Sequence, residues 1–185
     1  MRWLLATLLV VTLATTQASE LLVSDPQVGE ASAIALVFMS RLKPQLQAAL
    51  ESGPPAEAIA VCAEKAPAIA AELSAETGWS VKRVSLRPRN PSALPDTWER
   101  AQLEAFDTVV AAGGRPAWVA AEVDDQVRFL APQRVGGVCL VCHGESIDPA
   151  TAAALKKRYP DDQALGYRPG EVRGAISISA PRNQP

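Results

Sequence analysis

Three cysteines and a single histidine carry most of the reactive chemistry of this 185-residue chain. Cys139-Leu140-Val141-Cys142-His143 form a C-x-x-C-H pentad, the attachment signature of a c-type haem. The spacing has a chemical reason. Two thiols add across the two vinyl groups of haem to make thioethers, and the adjacent imidazole is held under the iron as an axial nitrogen. Three other readings compete on residues alone. A thioredoxin-like thiol pair needs a βαβ context, which the flanking sequence lacks. A zinc site needs four ligands, and only Cys62 and His143 remain to add. A plain disulfide would leave His143 incidental.

The opposite axial position is approached by elimination. His143 is the only histidine, so two imidazoles from one chain cannot share an iron. Small cytochromes c use a methionine. Met1 belongs to the leader described below, which leaves Met39, far upstream of the pentad. Cys62, Met39, a lysine, a water and an open position all remain, and Cys62 is the favoured one. It is the thiol left over once Cys139 and Cys142 are used, and it sits on the apolar stripe of its helix. Taken alone, such a cysteine reads as a small buried hydrophobe.

The compartment agrees with this chemistry. Residues 1–18 read as a secretory leader: Arg2, an apolar stretch over 3–13, and small residues at Thr16-Gln17-Ala18 before Ser19. No cysteine follows the cleavage point to suggest a lipid anchor, and no later stretch is apolar and long enough to span a bilayer. The expectation is a soluble protein of the periplasm, or otherwise exported, in an oxidising compartment. A net charge of −2 lacks the basic excess of nucleic-acid binders.

The elements that must position these residues follow from periodicity. With 48% hydrophobic and 5% aromatic residues, much of the apolar content is alanine, which favours helix. Ile34, Phe38, Leu42, Leu46 and Leu50 predict a helix over 29–52, preceded by an extended lead over 21–27, with a kink at Pro44. Pro54-Pro55 opens a second helix whose stripe is Ile59, Cys62, Ala66, Ile69 and Leu73, interrupted at Pro67. Residues 79–87 read as a strand with Val84 and Leu86 on one face and Arg83, Ser85 and Arg87 on the other. Asp96 and Glu99 form a capping box for a third helix, with Trp98, Phe106 and Val109 towards the core and Gly113-Gly114 as the stop. Residues 116–138 give mixed signals and read as short extended pieces, including one at 127–130. A fourth helix starts at Asp148-Pro149 and ends at Lys156-Lys157-Arg158. Residues 172–179 alternate as a half-buried strand. The sum is one α+β domain over 19–185.

Between Lys82 and Arg89 there are four cations and no acid. The carboxylate arms of a haem need partners if buried, and a guanidinium binds a carboxylate through two hydrogen bonds. Arg83, Arg87 and Arg89 are the candidates, with Asn90, Tyr167 and Arg173 as further hydrogen-bonding residues.

The chain resembles the DUF3365, or Tll0287-like, haem-binding domain family. The matching stretches are AIAVCAEKAPAI at 58–69, KRVSLRPRNPSALPDTWE at 82–99, CLVCHG at 139–144, Tyr159-Pro160-Asp161 and GYRPGEVRGAIS at 166–177. The resemblance implies a single PAS-like α+β domain, with long N-terminal helices and a small antiparallel sheet around one covalently held c-type haem. It also implies histidine–cysteine axial ligation, with the family's cysteine at Cys62 and its haem-motif histidine at His143. The family's role is described as redox or gas sensing. Many relatives carry the domain ahead of a signalling module. No such module follows here, so the expectation is a stand-alone haem protein with a redox or signalling protein partner.

A thiolate ligand favours the ferric state and lowers the reduction potential. On reduction the iron–sulfur bond weakens, so Cys62 would take a proton and leave, opening the iron to a small gas. Two alternatives stand beside this sensor reading: a periplasmic electron-transfer cytochrome, and a non-haem C-x-x-C thiol oxidoreductase. A peroxidase needs a distal acid–base group, and there is no second histidine to supply one. The chain is accordingly expected not to be an enzyme.

Overall fold

The computed structural model describes residues 24–183. The expected leader, 1–18, lies outside them, as does the start of the expected extended lead. Helix α1 spans Pro26–Ser52. Asp25 caps it by accepting from the Gln27 N–H at 2.8 Å, and Pro26 needs no donor partner at the first turn. The helix continues through Pro44 and stops at Gly53. Val28, Ala31, Ile34, Ala35, Phe38 and Leu42 form its buried stripe, while Leu46 and Leu50 stay half-buried.

The second predicted helix is present as three joined pieces: α2 at Pro55–Ala60, a π-helical turn at Val61–Lys65 and α3 at Ala66–Thr77. Pro67 has no N–H to continue an α-helical ladder. The turn before it widens, and the Ala66 N–H reaches back to the Val61 carbonyl. Cys62 lies in this widened turn. Gly78, at φ 76°, ends α3 in the left-handed region that favours glycine.

Four strands follow, β1 at Ser80–Val84, β2 at Val119–Val123, β3 at Gln126–Arg134 and β4 at Val172–Pro181, in one antiparallel sheet of order β1-β4-β3-β2. Asp124 and Asp125 both take positive φ and close the β2–β3 hairpin. The extended pieces expected over 116–138 are β2 and β3, of which the sequence placed only 127–130; the hairpin pairing them is new.

Side chains alternate across this sheet, and both faces are covered. Val81, Phe129, Ile176 and Ile178 pack against α1 and α3. Val84, Leu130 and Ala175 pack against Leu103 and Phe106 of α4, Thr97–Ala111. Strand β4 is therefore central and buried on both faces, not half-buried as its alternation suggested: Ala175 and Ser177 are covered by α4. Val109 is 39% exposed, because the buried stripe of α4 runs through Glu99, Leu103 and Phe106 instead.

Strand β1 ends at Val84, short of the expected 79–87. The chain turns where the Ser85 N–H donates to the Ala93 carbonyl and the Ser85 hydroxyl to the Arg173 carbonyl at 2.7 Å. Arg83 and Arg87 consequently do not share one strand face.

The α4 face holds a fully buried carboxylate. Glu99 is 0% exposed and accepts from the Ser177 hydroxyl at 2.6 Å, from Lys82 Nζ and from the Asp96 N–H, with Arg128 3.2 Å away. Truncating one member of a buried charged network leaves the others uncompensated. Glu99→Ala is expected to lower stability by about 3 kcal/mol, seen in urea unfolding as an earlier midpoint with an unchanged slope.

Candidate functional site

The pentad folds as a short helix, α5 at Gly137–His143, closed by Gly144. A Cβ on residue 144 would stand 2.7 Å from the Leu140 carbonyl oxygen, so the exit turn requires glycine. Cys139 and Cys142 are three residues apart and share a helix face. Both are free thiols, as is Cys62.

Cys139, Cys142 and His143 open on a cavity of about 430 Å³ between α1, the π turn and the sheet. Its walls are largely apolar, with Leu36, Met39, Leu46, Trp118 and Phe129 among them. A second chamber of about 300 Å³ adjoins it and is more polar, lined by Arg83, Ser85, Asn90, Ser92 and Tyr159. Cys62, Arg83, Arg89, His143 and Arg173 line both chambers.

His143 is 7% exposed and tightly held. Its Nδ1 lies 2.7 Å from the Ala164 carbonyl. A carbonyl can only accept, so Nδ1 carries the proton and Nε2 keeps its lone pair. Nε2 accepts from Arg173 Nε at 3.2 Å. Burial, reinforced by the positive charges of Arg173 and Arg89, pushes the imidazole pKa down to about 2, so the ring is neutral. A neutral imidazole with its other nitrogen anchored to a carbonyl is the form that ligates a metal.

The anchor is itself fixed. Arg89, 6% exposed, donates to the Cys142 carbonyl at 2.5 Å, to the Ala164 carbonyl at 3.3 Å and to Asp162 at 2.9 Å. The other Asp162 oxygen accepts from the Ala164 N–H at 2.8 Å. One buried ion pair thus ties the C-terminal end of α5 to the loop that orients His143. Helix α6, Pro149–Arg158, capped by Asp148 as expected, leads into that loop.

The remaining predicted residues divide. Cys62 faces both chambers with His143. Arg83 lies in the same place and donates to the Gln133 side chain at 3.2 Å, while Gln133 donates to the Met39 sulfur at 3.0 Å. Asn90 is exposed at the second chamber and caps Ser92. Arg87 and Tyr167 are not in either chamber. Arg87 stacks 3.7 Å above the Tyr167 ring and pairs with Glu171, and both line a separate cavity beneath α4. Tyr167 instead supports His143 from behind, ring edge to ring face at 6.3 Å, with its N–H on the His143 carbonyl.

Asp162, Ala164 and Gln133 escaped the sequence reading. Ala164 acts through a backbone carbonyl, which no residue type announces, and Asp162 sits far from Arg89 in sequence. Among the described residues, no group of three or more His, Cys, Asp and Glu side chains converges on one point. A bare ion would lack ligands here; a porphyrin brings four nitrogens of its own.

The chain matches the Tll0287-like family, described as Tll0287, over residues 12–181. Its structure is similar to the crystal structure of the cyanobacterial heme-protein Tll0287, with a TM-score of 0.69 and 25% sequence identity, covering 88% of this chain and 99% of that one. No curated protein matches it.

Asp162→Asn removes the counter-charge of the buried Arg89 and is expected to cost about 3 kcal/mol. Thermal unfolding should fall by roughly 6–12 °C for a chain of this size; an unchanged transition would mean that the pair does not hold the loop.

Proposed function

The chain belongs to the Tll0287-like family, and from that premise we propose that it is an exported protein that holds one haem covalently and acts as a redox or gas sensor. The observation that carries the reading is the placement of a neutral His143, its Nε2 lone pair turned inward, on the same chambers as Cys139, Cys142 and Cys62. The related solved structure is titled a heme-protein, which supports a haem rather than another ligand.

A bound haem would supply an iron that exchanges one electron and accepts axial ligands. The chain's own residues do the rest. Cys139 and Cys142 would hold the group as two thioethers, each S–H adding across one vinyl so that no oxidant is needed. His143 presents Nε2, with Ala164 fixing the tautomer. Cys62, in the widened π turn, would supply the second protein ligand to the iron, as a thiolate once bound. Met39 also lines the larger chamber, but Gln133 donates to its sulfur, which favours Cys62 as the sixth ligand. Leu36, Leu46 and Trp118 supply apolar wall for the ring. The helices over one antiparallel sheet, with a ligand chamber between, support a PAS-like description. Export rests on the leader at 1–18. No helix among the described residues is long and apolar enough to cross a membrane. The one imidazole is committed to Ala164 and the chamber, so the proposal is binding and sensing rather than catalysis.

Electron transfer is the second reading. It uses the same ligands without a ligand change.

Protein exported from a cell with cytochrome c maturation machinery is expected to show, under denaturing conditions, the mass of the processed chain plus one haem. A bare polypeptide two hydrogens lighter than the reduced chain would mean a Cys139–Cys142 disulfide and would overturn the proposal. Cys62→Ala is expected to keep the covalent haem and change its ferric absorption spectrum. The sensor reading adds that wild-type ferrous protein binds carbon monoxide; refusal of the gas favours electron transfer.

A further inference from the structure

The cations around the two chambers are unequally satisfied. Arg89 is neutralised by Asp162 and spends three of its five donors on that carboxylate and two carbonyls. Arg87 points away, to Tyr167 and Glu171. Lys82 serves Glu99 on the other side of the sheet. Arg83 and Arg173 differ. Each guanidinium has five N–H donors, yet Arg83 uses one on Gln133 and Arg173 one on His143. Among the described residues neither has a carboxylate partner, whereas Arg87 and Arg89 do. Among the described residues no fully buried side-chain donor is left without a partner, so their spare N–H groups reach the open space of the chambers. Both guanidiniums line the same two chambers, where like charges in an enclosed site repel. Such a pair is costly until an anion joins it.

We propose that Arg83 and Arg173 form the seat for the carboxylate arms of the bound porphyrin, in the polar chamber, with the ring crossing from the apolar one. This deepens the haem reading and rests on it. The chambers have the polarity of the ligand. Cys139 and Cys142 line only the larger, apolar chamber, while the smaller one holds the hydrophilic lining. A haem carries its vinyl and carboxylate arms on opposite edges of the ring. With the vinyl edge at the two cysteines, the acid edge passes His143 and Cys62 and enters the chamber of Arg83 and Arg173. Arg173 has a second role before loading: its Nε keeps the Nε2 lone pair of His143 paired. It is released when it turns to a carboxylate. The rival seat is Arg134, which lines only the apolar chamber and donates to the Gly170 carbonyl.

The test uses the full chain with reduced cysteines and titrates metal-free mesoporphyrin and its dimethyl ester by fluorescence. Neither probe has a vinyl group or an iron, so thioether formation and axial ligation are silent. Wild-type protein is expected to bind the diacid about tenfold or more tighter than the diester, since hydrogen bonds between charged groups are the strong ones. Arg83→Gln and Arg173→Gln should erase that preference while leaving diester binding in place, and Arg134→Gln should leave the preference intact. Equal binding of diacid and diester by wild type overturns the carboxylate seat, and does so without any variant that must fold. Loss of the preference in Arg134→Gln alone overturns the assignment to Arg83 and Arg173. Iron mesoporphyrin run in parallel separates the two levels. If it binds while the diacid preference is absent, the haem reading stands and the seat falls. If wild type binds no porphyrin, both fall.

Discussion

The hydrogen bond from His143 Nδ1 to the Ala164 carbonyl is the constraint on which the site depends. It selects one tautomer of a buried, neutral imidazole and turns the Nε2 lone pair inward. A carbonyl on a loop is a poor anchor unless the loop is rigid. Here rigidity comes from the buried Arg89–Asp162 pair, which holds Ala164 through both its N–H and its carbonyl and reaches the end of α5 through Cys142. Burial makes this pair expensive to break. The loop, the helix that carries the thiols and the histidine therefore behave as one unit.

The sheet supplies the other half of the geometry. Because α4 seals one face, with Glu99 at its centre, the opposite face is free to carry α1 and α3 with a chamber between them. Arg173 comes from central strand β4 and Arg83 from its neighbour β1. Their positions are fixed by strand register, in which Arg83 pairs with Ile176. Gly174 lets β4 approach Val84 so closely that a Cβ there would stand 2.3 Å from the Val84 carbonyl oxygen. Cys62 arrives by a different device. Pro67 denies the helix a donor, the preceding turn widens, and the cysteine sits in that irregular turn.

Much of this was legible in the residues. Asp96 and Glu99 announced their capping box, and the i, i+4 stripe of α1 announced its buried face. The C-x-x-C-H spacing identified the thiols and the imidazole as a set. What stayed hidden was of two kinds. Burial of β4 on both faces depends on a helix arriving from elsewhere in the chain, so its alternating pattern understated it. The roles of individual arginines depend on partners far away: Arg89 is held by Asp162, and Arg87 is drawn off to Tyr167 and Glu171. Four cations in a run looked alike in sequence, and the fold gave each a different task.

The proposed ligand pair for the iron is His143 and Cys62. Electron paramagnetic resonance of the ferric protein tests it most directly, because a thiolate paired with an imidazole compresses the spread of low-spin g values relative to a thioether, while water gives a high-spin signal. The account predicts the narrow thiolate pattern in wild type and its loss in Cys62→Ala. A wide imidazole–thioether pattern that persists in that variant and disappears on replacing Met39 would contradict it.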